Sequence, residues 1–193
     1  MKKFIAIVCA VVMAFTCAAC GGTGNNGATA GTEKAETASC EDLLNQVWNT
    51  FAEDEKFAAM GGDMNNTVDG AAGNFDLSDT ENLMYMLHIP EENIAQIDEA
   101  ASLIHMMNAN TFTGAAFHLE NGDDVDVFVE SLKENIMGTQ WMCGFPDTLN
   151  IFVVNGEYVV SAFGNADIME NFKTKLNEVF GDSAIIVVEE SLI

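Results

Sequence analysis

The sequence contains no arginine. Its seven basic residues are all lysines, set against thirty aspartates and glutamates, for a net charge of −23. Without guanidinium groups the chain lacks the planar fork that grips phosphates and carboxylates in pairs. A surface this acidic repels nucleic-acid backbones and anionic headgroups, so no nucleic-acid partner is expected. Histidine is scarce as well: His88, His105 and His118 stand in no two-histidine helical spacing and beside no metalloprotease-type glutamate. No metal site and no cofactor is expected from them. There is no nucleophile elbow, no phosphate loop and no glycine-rich dinucleotide fingerprint. Acidic pairs such as Asp123-Asp124 and Glu189-Glu190 are so common in this chain that none singles out a catalytic carboxylate pair. Cys143-Gly144 has no base indicated near it. No catalytic residue is assigned, and a non-enzymatic protein is the expectation.

What is present begins at the N-terminus. Lys2 and Lys3 precede an apolar run from Phe4 to Phe15. That is the length of a signal-peptide core and short for a membrane span. Cys17-Ala18-Ala19-Cys20-Gly21-Gly22 follows, and it resembles the lipobox of bacterial lipoproteins. The resemblance implies that residues 1–19 are a signal peptide, that Cys20 carries the lipid, and that the protein sits extracytoplasmically on the outer face of the cell membrane. It departs from the pattern at Cys17, where a leucine is usual. A buried N-terminal helix or a spanning anchor fits the length and flanks less well. Two acyl chains on one cysteine give stable attachment. Removing residues 1–19 would take Lys2 and Lys3 with it and leave 5 − 30 = −25.

Residues 20–38 then read as lipid anchor and flexible tether, because Gly21 to Ala38 holds no large apolar side chain. Of five cysteines, only Cys40 and Cys143 lie beyond the anchor. In an exported domain they are candidates for a disulfide; two buried free thiols are the alternative.

The rest divides into a mainly helical segment, 39–108, and an α+β domain, 109–193. Ser39 caps a helix bearing Leu43, Leu44, Val47, Trp48 and Phe51, which Gly61-Gly62 ends. Asn65, Thr67, Asp69, Gly70 and Asp76 match an EF-hand loop too poorly to indicate calcium. Short helices are expected over 78–87 and from Pro90, although 101–107 can equally be a strand turning at Asn108-Ala109-Asn110. Beyond it the order is strand (111–119), helix (125–136), strand (149–154), strand (157–163), helix after Asn165, strand (184–188). Asn155-Gly156 supplies the positive φ angles of a type I′ hairpin. The order β-α-β-β-α-β is ferredoxin-like: an antiparallel sheet with both helices on one face. If 101–107 also pairs with the first strand, the last strand loses its place beside that strand.

These features together resemble a lipid-anchored domain-of-unknown-function family of Gram-positive, Clostridia-type bacteria. The residues carrying the resemblance are Pro90-Glu91-Glu92, Met106-Met107-Asn108, Phe145-Pro146 and Asn155-Gly156-Glu157-Tyr158, within roughly 80–190. The family brings no activity and no catalytic residues. The loop holding Trp141, Met142, Phe145 and Pro146 is the candidate contact patch for an unknown protein or cell-wall partner, unless its apolar residues plug the core. Core filling is also the expectation for the methionine pairs Met84/Met86 and Met106/Met107. The expected function is therefore a non-catalytic binding module at the envelope. An envelope hydrolase with a dispersed site, or a small-ligand or cation-binding lipoprotein, is the alternative.

Overall fold

The computed structural model describes residues 37–193. The expected signal peptide (1–19), Cys20 and nearly all of the expected tether lie outside the described residues. The fold is α+β, an open antiparallel sheet of eight strands with helices on both faces.

Helix α1 (Cys40–Trp48) starts where expected, with the Ser39 side chain accepting from the Asp42 N–H at 3.0 Å. Its apolar stripe, Leu43, Leu44, Val47 and Trp48, is buried. The helix stops at Trp48 instead of running to Gly61-Gly62. Those glycines belong to strand β1 (Ala59–Gly62), followed by β2 (Thr67–Asp69) and β3 (Gly73–Asn74). The reason is close backbone approach: a Cβ at Gly61 would lie 2.2 Å from the Gly73 nitrogen. These glycines let β1 and β3 share one edge of β4 (Ile97–His105).

Helix α2 (Thr80–Met86) and a 3-10 turn over Glu91–Gln96 precede β4. The segment 39–108 is thus not mainly helical, since it supplies four of the eight strands. Nor does a boundary separate 108 from 109. Strand β5 (Phe112–Leu119) pairs with β4 along nearly its whole length, from Ile97↔Leu119 to Ile104↔Thr113.

The remaining elements are α3 (Val125–Met137), β6 (Thr148–Val154), β7 (Tyr158–Gly164), α4 (Ala166–Phe180) and β8 (Ala184–Ser191). Asn155 and Gly156, with φ of 56° and 84°, make the β6–β7 turn. The strand order is β2-β1-β4-β5-β7-β6-β8, with β3 beside β4.

This differs from the ferredoxin-like order in two linked ways. Strand β4 takes the position beside β5 that the last strand would hold, and β8 pairs with β6 at the far edge. The crossovers β5–α3–β6 and β7–α4–β8 then step the same way across the sheet on strands of opposite direction. Crossovers of one hand must therefore place their helices on opposite faces. They do: α3 and α2 pack with Phe117, Leu149 and Ile151 on one face, and α4 and α1 with Phe112, Phe152 and Val160 on the other.

Candidate contact surface

At one end of the sheet two loops are fastened together. The β4–β5 connection carries Met106, Met107, Asn108 and Asn110, and the α3–β6 connection carries Trp141 to Pro146. Asn108 Nδ2 donates to the Cys143 carbonyl at 3.0 Å. Asn110 Nδ2 donates to the carbonyls of Met142 at 2.9 Å and Gly144 at 3.0 Å. The Asn108 side chain also accepts from the Asn110 N–H at 3.0 Å, which sets the turn that aims both amides. The second loop can offer three successive carbonyls because Cys143 and Gly144 both adopt positive φ, 64° and 130°.

The loop of Trp141 to Pro146 divides its roles. Trp141 is half-buried, packed on His88 and Phe163 with ring centres 5.2 and 5.1 Å apart, and Pro146 is buried. These two anchor the loop and are not part of a free surface. Met142 and Phe145 point outward, 81% and 65% exposed, and Met107 on the partner loop is 78% exposed. Met106 is exposed too, so the pair Met106/Met107 does not fill the core. Two of the four expected patch residues are thus exposed, as is Met107 in a loop some 35 residues away. Exposed thioethers and an exposed ring are the kind of adaptable apolar side chains that suit a contact surface.

Beside His88 a groove of about 610 Å³ is lined by Glu91, Glu92, Ser131, Glu134 and Thr139, among others. His88 holds a left-handed backbone, φ 54°. Asn135 donates to its carbonyl at 2.7 Å, and its Nδ1 lies 3.2 Å from Thr139 Oγ1. Burial pushes its pKa down to about 4, so the ring is neutral at pH 7.

The other chemistry-bearing residues lie elsewhere. Cys40 is sealed beneath α1, its thiol donating to the Glu99 carbonyl at 3.7 Å. Burial first, then the negative charges of Glu99 and Asp98, push its pKa well up, so it is an inert thiol. Cys40 and Cys143 are both free. Cys40 sits by Glu99, near the start of β4, and Cys143 by Asn108, past its end. At ~3.3 Å per residue that separates them by roughly 20 Å, far beyond the ~7 Å a disulfide tolerates. The disulfide expected as one option is therefore not formed.

His118 Nδ1 lies 2.5 Å from Asp98 Oδ1, and its ring packs on Tyr158. His105 stacks on Phe57, its Nδ1 accepting from the Met107 N–H at 3.3 Å. Around the poor EF-hand match, buried Asp63 is the organising carboxylate. It accepts from the N–H groups of Asn65, Asn66 and Asp76. Burial raises its pKa, but these donors outweigh burial and hold it below the usual carboxylate value. Among the described residues, no group of three or more His, Cys, Asp or Glu side chains is placed to hold a metal ion. No helix among them is long and apolar enough to cross a membrane.

No family model matches the chain, and no curated protein or solved structure matches it either.

Proposed function

We propose that this is a lipid-anchored, extracytoplasmic interaction module that works without catalysis, within reach of the outer face of the cell membrane. The anchor is Cys20, read from the lipobox-like run Cys17-Ala18-Ala19-Cys20-Gly21-Gly22. The partner is a protein or cell-wall component that docks on Met107, Met142 and Phe145. The observation that carries this reading is the clasp: three side-chain hydrogen bonds hold two loops together so that these apolar side chains stay in solvent. Ordering exposed apolar side chains costs conformational entropy that no folding contact returns, which favours a role in recognition.

The test has two parts. Cys20→Ala should release the protein from the membrane fraction into the medium, and continued retention sinks the anchor. In intact cells, photo-crosslinking from position 142 should give a discrete adduct that Phe145→Glu and Met107→Glu abolish. An adduct unchanged by both substitutions sinks the patch.

A second reading rests on the groove beside His88, whose Glu91, Glu92 and Glu134 suit a small cationic ligand over the apolar Met84 and Pro90. A thermal-shift titration with putrescine tests it; a Tm that stays flat up to millimolar ligand removes it.

A further inference from the structure

Strand β8 ends the sheet. It pairs with β6 on one side and, among the described residues, with no other strand on the outer side. Its sequence, Ala184-Ile185-Ile186-Val187-Val188, is the kind of apolar, β-branched run that is ordinarily covered on both sides. Here Ile185 is 60% exposed, Ile186 37% and Val187 45%. Ile186 stands beside Phe152 on the α4 face, and Ile185 beside Val153 on the α3 face. Both faces of the edge thus offer apolar side chains. A shallow groove of about 530 Å³ runs along Asn177, Asp182, Ala184, Ile185 and Ile186 at its start.

An outer strand edge presents backbone N–H and C=O groups in the spacing of a strand, so its natural complement is another strand. Charge decides which. A second copy would bring a net charge of −23 against −23, with no arginine on either side to offset it. Along β8 itself, Glu189 is held by Lys173 at 2.7 Å and Glu190 by Lys133 at 3.4 Å. The two lysines beside β8 are therefore already engaged with its own glutamates. A basic partner meets no such repulsion and gains from the field of the whole molecule. The length is bounded as well. The register shifts between Ile151 and Phe152, leaving Val187 as a bulge. A bulge interrupts the ladder and resists open-ended strand addition.

We propose that the β8 edge binds a short extended segment of another polypeptide, in which apolar residues alternate with lysine or arginine, by strand addition. Alternate residues of an added strand share one face, so the apolar residues pack beside Ile186 on the α4 face, while the lysine or arginine stems pass over Ile185 on the other and carry their charges into the acidic surround. This surface is separate from the clasped loops, so the proposal does not depend on them.

The probe is a fluorescein-labelled peptide, acetyl-KVKVKVK-amide, titrated into the full chain in detergent and followed by anisotropy. Three arms accompany it: the peptide N-methylated at alternate backbone nitrogens, its glutamate counterpart, and the chain carrying Ile185→Lys and Val187→Lys. Both substituted positions are exposed, so the fold should be kept, and circular dichroism checks it. Saturable binding is expected, weakened about tenfold or more by N-methylation and by the double substitution, and absent for the glutamate peptide. No binding at millimolar peptide overturns the proposal. So does an N-methylated peptide that binds within about twofold of the parent, because attraction is then by charge alone. Unchanged affinity of the doubly substituted chain places binding elsewhere and overturns it too.

Discussion

The two cysteines of the folded region sit in opposite surroundings. Cys40 opens α1 and is closed off by the face that α1 and α4 cover, where Phe112, Phe152, Phe172 and Leu176 are fully buried. Cys143 lies in a loop whose backbone is held by two asparagine side chains and whose Met142, Cys143 and Phe145 side chains face solvent. The first region is ordered by burial of apolar area, and the second by hydrogen bonds from a neighbouring loop. A region ordered by burial tolerates no cavity and offers no surface. One ordered by polar clasps can be fixed in place while its apolar side chains remain available.

The comparison breaks most readily at the core. Phe112 is buried among Phe57 and Phe172, with ring centres 5.2 and 5.1 Å away. Phe112→Ala should cost ~3–5 kcal/mol in chemical denaturation. It should also let a thiol reagent reach Cys40 at a rate that tracks global opening. A loss below about 1 kcal/mol would mean that this face is not the stabilising core.

Next in size is the pH response at the boundary between the two regions, where neutral His88 supports Trp141. Its folded pKa of about 4 lies below the ordinary histidine value of 6.5. Between those values the unfolded chain takes up a proton that the folded chain refuses. Stability is therefore full above about pH 6.5 and falls as pH drops towards 4, by up to ~3 kcal/mol. The measurement is the difference in slope between the parent chain and a His88 variant. His88→Asn, which tolerates the left-handed backbone, should remove about one proton's worth of slope. Identical slopes would show that His88 is not the group responsible.

The clasp comes third. Asn110→Ala removes two hydrogen bonds and should cost about 1–2 kcal/mol. It should also speed alkylation of Cys143 and amide exchange across 141–145, while Cys40 stays protected. If both cysteines became reactive together, the two regions would be a single cooperative unit.

The smallest effect is at the surface itself. Met142→Ser with Phe145→Ser should change stability by no more than ~0.5 kcal/mol, because neither side chain is buried. A loss above about 1.5 kcal/mol would mean that these side chains serve the fold.

Much of the second half was legible from local signals. Asn155-Gly156 dictates its turn through two positive φ angles, and the helical stripes of α3 and α4 bury the residues that their spacing indicates. The first half misled. Gly61-Gly62 is a stop signal for a helix and equally a close-approach signal for strands, and only the neighbouring Gly73 distinguishes the two. The segment 101–107 fits either period until a neighbouring strand is supplied. Of the contact loop, its apolar content was readable, but not which residues point in. Trp141 is drawn inward by His88 and Phe163, and His88 lies some fifty residues earlier in the chain.

By itself the sequence determined the acid excess, the lipobox-like run ending at Cys20, the hairpin at Asn155-Gly156 and the apolar faces of three helices. Each of these depends on residues close together in the chain. Tertiary structure alone decided the sheet order, the separation of Cys40 from Cys143, and the clasp of Asn108 and Asn110 on the carbonyls of Met142, Cys143 and Gly144. The physical reason lies in one pairing: β4 beside β5 displaces the last strand to the far edge. With crossovers of constant hand, that displacement carries α4 to the opposite face and leaves β8 as the open edge. Its energy comes from contacts between residues distant in sequence, which no local pattern records.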